Sequence, residues 1–364
     1  MKSMTTMWCL GTVAALAVAG AAQARSGAVF TLSNGSAANE VLSFHRRADG
    51  ELRFAGRVAT GGQGTGAGLG SQGALVLSED GELLFAVDAG NNEISSFAVE
   101  GTSLRQVGRA HSGGTRPISL TVHRNLLYVL NAGGEGNIAG FTVGAKGALT
   151  PLPDSSRPLS NNAADPAQIE FTPDGAHLVV TEKANNLIDV YGVNDDGLAG
   201  DPTAFASHGQ TPFGFAFRRD GLLVVSEAFG GTEGASALSS YELDDDSALQ
   251  LNSASVPDQQ SAACWVAITG NGRIAFTSNT GSGSISSYRI NRCGRMALLD
   301  SVAGDTGAGS APTDMALSRG SRFLYVLDSG TGAISAFRVA RDGALEPLTG
   351  ASGLPTSAVG LAAR

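Results

Sequence analysis

Short apolar runs recur along the chain in four kinds, always in the same order, with turns rich in Gly, Asp and Asn between them. The last full unit shows the pattern. Pro312-Thr313-Asp314-Met315-Ala316-Leu317-Ser318 opens it, Phe323–Asp328 and Ala333–Val339 follow, and Leu345–Leu348 ends it. The third run of each unit alternates: in Ile285-Ser286-Ser287-Tyr288-Arg289-Ile290 and Ile334-Ser335-Ala336-Phe337-Arg338-Val339, residues two apart share a face. That is the period of a β-strand. First runs such as Phe213–Phe217 and Trp265–Ile268 are more uniformly apolar, which suits strands covered on both faces. Asp-Gly pairs at 49–50, 80–81, 174–175, 196–197, 220–221 and 342–343 fall between runs, where tight turns belong.

Second runs are Ala28–Asn34, Leu83–Asp88, Leu126–Asn131, His177–Glu182, Leu222–Glu227, Ile274–Asn279 and Phe323–Asp328. Third runs begin near Glu40, Glu93, Asn137, Leu187, Ala237, Ser284 and Ala333. Seven units at a period of about 48 residues predict an all-β, seven-bladed β-propeller with four-stranded blades. First runs number only six in the body of the chain, near Ala74, Pro117, Pro166, Pro212, Cys264 and Pro312. The seventh is Pro355–Ala362, so a C-terminal strand is expected to join the three N-terminal ones and close the ring.

Composition adds a compartment. Lys2, the apolar stretch Met7–Gly20 and Ala22-Gln23-Ala24 read as a signal peptide over 1–24, leaving 25–364 as a single propeller domain exported to the periplasm or the medium. The apolar stretch is short for a transmembrane anchor. Cleavage would remove Lys2 and take the formal charge from −9 to −10, which argues against nucleic acid or an anionic membrane as main partner. A monomer is expected. Cys264 and Cys293 fall at opposite ends of the sixth unit, too far apart for a disulfide.

The repeat, with Thr172-Pro173-Asp174-Gly175-Ala176-His177-Leu178-Val179-Val180 and Phe323-Leu324-Tyr325-Val326, resembles the seven-bladed lactonase-type propellers over Ala28 to Ala362. These include 6-phosphogluconolactonase and 3-carboxy-cis,cis-muconate lactonizing enzyme. The resemblance implies hydrolysis or isomerisation of a lactone or carboxylate at the mouth of the central channel. It also implies a Gly-Pro-Arg-His motif on an inner strand, a Glu ending the next strand, and a His from the preceding blade. Here the segment reads Thr211-Pro212-Phe213-Gly214, so Phe213 and Gly214 stand at the Arg and His positions. Glu227 is retained, and Asp165-Pro166-Ala167-Gln168 offers no His.

The residues ending the second runs, Asn34, Asp88, Asn131, Glu182, Glu227, Asn279 and Asp328, ring one face. Asn and Asp suit turns there, whereas Glu is a poor turn residue. Glu182 and Glu227 are therefore candidate acid/base groups facing a cleft. They could equally hold a divalent cation, Ca or Mg, or be surface charges; no other cofactor is implied. Arg116 is the candidate to replace the lost guanidinium at an oxyanion. His208 and His111, in similar loops, could reach the mouth as titrating groups. Trp265, Phe213, Gln168 and Asp314, with His111, are the substrate-binding candidates. The glycine-rich stretch Gly61–Gly70 could present backbone N–H groups to an anion or simply connect two blades. A non-catalytic propeller binding a small acid, a glycan or a protein is the alternative to an enzyme.

Overall fold

The computed structural model describes residues 26–244 and 247–364; the expected signal peptide lies outside them. Seven antiparallel sheets stand around an axis. The first blade is Val359–Ala363, Gly27–Leu32, Glu40–Arg46 and Leu52–Ala59, from the axis outwards. The second is Leu75–Leu77, Leu83–Asp88, Glu93–Glu100 and Ser103–His111. The third is Pro117–His123, Leu126–Asn131, Asn137–Val143 and an outer edge broken into Leu149–Pro151 and Arg157–Pro158. The fourth is Pro166–Phe171, His177–Glu182, Leu187–Gly192 and the short Thr203–Ala206. The fifth is Pro212–Phe217, Leu223–Glu227, Ala237–Leu243 and Leu249–Pro257. The sixth is Ala263–Ile268, Ile274–Asn279, Ser284–Ile290 and Met296–Asp305. The seventh is Pro312–Leu317, Phe323–Asp328, Ala333–Val339 and Leu345–Ser352. Among the described residues, the one helical piece is a 3-10 turn at Phe229–Gly231, and no helix is long and apolar enough to cross a membrane.

Turn chemistry acts as the sequence suggests. Asp174 Oδ1 accepts from Thr172 Oγ1 at 2.6 Å and from Ala176 N at 3.0 Å, while Gly175 takes φ of 77°, a conformation that favours glycine. The third strands are covered on both faces over most of their length. Ser95 and Ser96, Ser239 and Ser240, and Ser286 and Ser287 are all buried although adjacent residues point to opposite faces, because a neighbouring blade stacks on each face. The hydroxyls of Ser95, Ser96, Ser239, Ser240 and Ser286 find partners: Ser96 Oγ donates to Gly147 O at 2.5 Å and Ser240 Oγ to Gly294 O at 2.8 Å, each in the next blade. Buried tyrosines do the same, Tyr128 to Gly197 O at 2.9 Å and Tyr325 to Gly50 O at 2.8 Å.

The C-terminal strand closes the ring as expected. Val29, Phe30 and Thr31 pair with Ala363, Ala362 and Leu361, and Leu32 with Val359 across a bulge. Thr31 Oγ1 donates to Gly360 O at 2.7 Å, and Arg46 Nη2 to Arg364 O at 3.1 Å. Ala358, Val359, Leu361 and Ala362 are all buried. Deleting Pro355–Arg364 should therefore lower the melting temperature by more than ~10 °C and broaden unfolding; an unchanged melting curve would refute closure by this strand.

Candidate functional site

The ring of residues ending the second strands is buried: Asn34, Asp88, Asn131, Glu182, Glu227, Asn279 and Asp328 are each at most 1% exposed. They tie the strand end to the third strand and to the incoming connection from the preceding blade. Asp88 accepts from Thr60 Oγ1 at 2.5 Å, Asn39 Nδ2 at 2.9 Å and Ser95 Oγ at 2.6 Å. Glu227 Oε1 accepts from Gly209 N at 2.9 Å and from Ser239 Oγ. Glu182 accepts from Ser160 N at 3.0 Å, Ser160 Oγ at 2.8 Å and Asn185 Nδ2 at 3.0 Å. The expectation that Glu182 and Glu227 face a cleft is thus corrected. Glu has the reach to bond the loop above it, and that loop covers it. Burial, with hydrogen bonding to Glu182, pushes the neighbouring Asp189 up to about 8.

The two histidine candidates also lie away from the axis. His111 ends an outermost strand, paired with Glu93, and its Nδ1 accepts from Gly113 N at 3.2 Å. His208 is exposed; its Nδ1 lies 2.9 Å from Ser255 Oγ on the outermost strand of the fifth blade, and its N–H donates to Tyr241 OH at 2.8 Å. A connection that starts from an outermost strand delivers its first residues to the rim, and only its end to the axis.

The ends of those connections do reach the axis. The residues just before five inner strands, Arg116, Asp165, Thr211, Ala262 and Ala311, all take left-handed φ between 43° and 57°. Arg116 and Asp165 are equivalent positions on adjacent blades. Between them and the fifth blade stands Lys183, which the sequence reading did not single out. Its Nζ lies 3.5 Å from Asp165 Oδ1, 4.7 Å from the centroid of the Phe213 ring, and donates to Gly70 O at 2.7 Å. Burial pulls Lys183 below its ordinary pKa; Asp165 opposes the shift and Arg116 adds to it. Phe213 in turn meets Trp265, with ring centroids 5.1 Å apart.

Directly inside this group the axis is filled. Strand register makes Ala74, Ser119, Gln168, Gly214, Trp265 and Asp314 equivalent. Gln72 stands where Pro opens the neighbouring inner strands and crosses the axis: Val266 N donates to its Oε1 at 3.2 Å, and its Nε2 donates to Val266 O at 3.3 Å. A Cβ on Gly214 would meet Gln72 Oε1 and the Cys264 carbonyl. The absence of a side chain at 214 is what admits the amide. Gln168 accepts from Phe215 N at 2.6 Å and donates to Phe215 O at 3.0 Å and to Glu170 Oε2 at 2.9 Å. Asp314 accepts from Met315 N at 2.9 Å and Gly73 N at 3.4 Å. Trp265 Nε1 donates to Ser71 O at 3.1 Å. Gln168, Trp265 and Asp314 are thus buried in the axial packing, and of the substrate-binding candidates Phe213 is the one partly open on this face. Burial pushes Glu170 up to about 8 and Asp314 up to about 7. Cys264 and Cys293 are both free, and burial raises the Cys264 thiol to about 12, which keeps it protonated. Among the described residues no group of three or more His, Cys, Asp or Glu is arranged to hold a metal ion.

Two outcomes follow. Gly214→Ala should destabilise the protein by about 1–3 kcal/mol through overpacking; adding Gln72→Ala should recover only part of this, because the Cys264 carbonyl stays in place. Equal stability of Gly214→Ala and wild type by urea denaturation would contradict the packing. Asp189 and Glu170 have folded pKa values above their unfolded ones, so the stability they contribute is full below about pH 4 and is lost as pH rises towards about 8. Asp189→Asn should flatten that fall in thermal melts between about pH 5 and about pH 9; an unchanged slope would count against a buried proton there.

Comparison with known proteins agrees with this architecture. No curated protein sequence matches the chain. Among solved structures, a protein of Bacteroides fragilis provisionally assigned as a 6-phosphogluconolactonase has a TM-score of 0.71 at 17% identity, over 93% of this chain and 98% of the other. A periplasmic gluconolactonase of Pseudomonas aeruginosa gives 0.71 at 16% identity, over 91% and 98%. A protein of Lactobacillus plantarum gives 0.72 at 18%, over 93% and 98%. The family model for the seven-bladed β-propeller lactonases matches residues 34–159 and 227–347, leaving between them the stretch that holds Gln168, Lys183, Phe213 and Gly214. With the two segments spanning more than half its length, the chain belongs to the seven-bladed β-propeller lactonase family.

Proposed function

We propose that this chain is an exported lactonase-family propeller that takes a lactone, or its ring-opened carboxylate, at the axial face between the third, fourth and fifth blades. One observation carries the reading. Lys183 lies over Phe213, at the position where an Arg is expected, with Arg116 nearby and Asp165 at 3.5 Å. Two cations facing one carboxylate leave an excess of positive charge in an otherwise acidic protein, which suits a carboxylate or a developing oxyanion. In the proposed reaction, Asp165 takes a proton from water as the water oxygen attacks the lactone carbonyl. Lys183 and Arg116 hold the oxyanion. Its collapse expels the ring oxygen, which takes the proton back from Asp165; the new carboxylic acid releases its remaining proton to solvent, and an open hydroxy-carboxylate leaves. Trp265, through Phe213, fixes the floor under the ammonium.

A second reading, binding of the acid without turnover, is favoured by the burial of Glu227 and by the Gln72 amide packed against Gly214, where a His is expected. One experiment separates them. Under the hydrolytic reading, pH-stat assay on a panel of sugar-acid lactones should give turnover above the spontaneous rate. Lys183→Met and Asp165→Asn should each reduce kcat/KM by about 10²–10³. No turnover, with calorimetric binding of the open acids that is lost in Lys183→Met, would select the binding reading. Neither turnover nor binding would remove both.

A further inference from the structure

On the pole opposite the axial site, where the first-to-second and third-to-fourth strand turns emerge, positive charge is concentrated in one sector. Every arginine between Arg157 and Arg364 lies in or beside a turn of the fifth, sixth or seventh blade at this pole. Six of them, Arg218, Arg219, Arg273, Arg289, Arg292 and Arg341, line one cleft of about 1210 Å³, against two acidic residues, Asp220 and Asp342. A smaller cleft of about 400 Å³ shares Arg219, Asn271 and Arg341 with it and continues the groove to the seventh blade.

The packing of these side chains sets them apart from solvated surface charges held in ion pairs. Arg218 is fixed, with Nε 2.6 Å from Asp220 Oδ1 and Nη1 donating to Asn291 O at 2.9 Å. Arg219, Arg273, Arg289, Arg292 and Arg341 are exposed, and none of their guanidinium groups forms an ion pair or hydrogen bond among the described residues. Gathering so many unpaired guanidinium groups in one concavity costs like-charge repulsion. The chain carries a net −9, yet Asp220 and Asp342 are the acidic residues lining this cleft, and they leave most of its positive charge uncompensated.

We infer that this groove is a binding site for a soluble ligand carrying several closely spaced phosphate groups. Guanidinium groups bind phosphate oxygens in bidentate fashion and shed their water more readily than an ammonium. All the cations lining the cleft are arginines, and they reach it from three blades, Arg218 and Arg219 from the fifth, Arg273, Arg289 and Arg292 from the sixth and Arg341 from the seventh, which suits a ligand with more than one phosphate. Concavity favours a ligand that enters the groove over a flat bilayer, and the cleft is larger than a single phosphate requires.

The test uses the folded chain and linear tripolyphosphate as probe, by isothermal titration calorimetry at low and moderate salt. Binding should weaken steeply with salt, and Arg273→Gln/Arg292→Gln should reduce affinity at least ~10-fold without changing the melting temperature. Arg53→Gln/Arg105→Gln, on other blades, should leave it unchanged. Three results would overturn the site: no binding at low salt, equal loss in both double variants, or equal binding of duplex DNA at matched phosphate, which marks a non-specific basic surface. Binding to phosphatidic acid vesicles without binding to tripolyphosphate would also overturn it, in favour of a membrane contact.

Discussion

Seven small sheets stacked face to face have one geometric demand: the last must meet the first. Each blade here is buried on both faces by its neighbours, so an open ring would expose two full sheet faces at once. The pairing of Val359–Ala363 with Gly27–Leu32 meets that demand by putting the two ends of the chain in a single sheet. The rest depends on it. The inter-blade bonds from Ser96, Tyr128, Ser240 and Tyr325 to turn carbonyls of the next blade exist only while the blades are held in register around the axis. Their positions also explain why small hydroxyl residues occupy the buried middle of the third strands.

Closure also brings inner strands that are distant in sequence within reach across the axis, and there side chains compete for little space. Phe213, Gly214, Lys183 and Gln72 act as one set. Gly214 leaves a gap, Gln72 from the second blade fills it, and its amide is satisfied by the backbone of the sixth. Phe213 offers an aromatic face, and Lys183 from the fourth blade lies over it. Restoring a His at 214 alone would meet the amide already in place. The departures from the expected motif are thus mutually fitted, and a cation is retained at this face from a different blade.

Period-two alternation and turn chemistry made the strands legible, and third-strand starts such as Glu40, Asn137 and Ser284 coincide with the strand ends in the structure. The missing first strand was legible because a repeat can be counted. The site was only partly so. Glu182 and Glu227 were placed correctly on one face, but strand spacing says nothing of the loop that folds over them. His111 and His208 share loops with Arg116 and Thr211, and the radial distance covered within a loop leaves no mark in the sequence. Lys183 and Gln72 act on groups dozens of residues away. The one signal they gave was negative: Gln72 lies where a Pro opens the neighbouring inner strands.

Charge is distributed along the axis as well as around it. The axial face holds Lys183 and Arg116 over a carboxylate, and the opposite pole holds the arginine groove; between them run Gln72, Gln168, Glu170 and Asp314. A straight passage through that packing would need the Gln72 and Gln168 amides to leave backbone partners on the fifth and sixth blades, exposing buried polar groups on both sides. An anion bound at either proposed site would therefore not travel to the other through the middle. Coupling between the poles would have to act through the blades, whose fully buried, cross-bonded faces resist sliding. The two proposed anion sites, on so rigid a ring, are expected to work independently, each with the affinity its own cations give it.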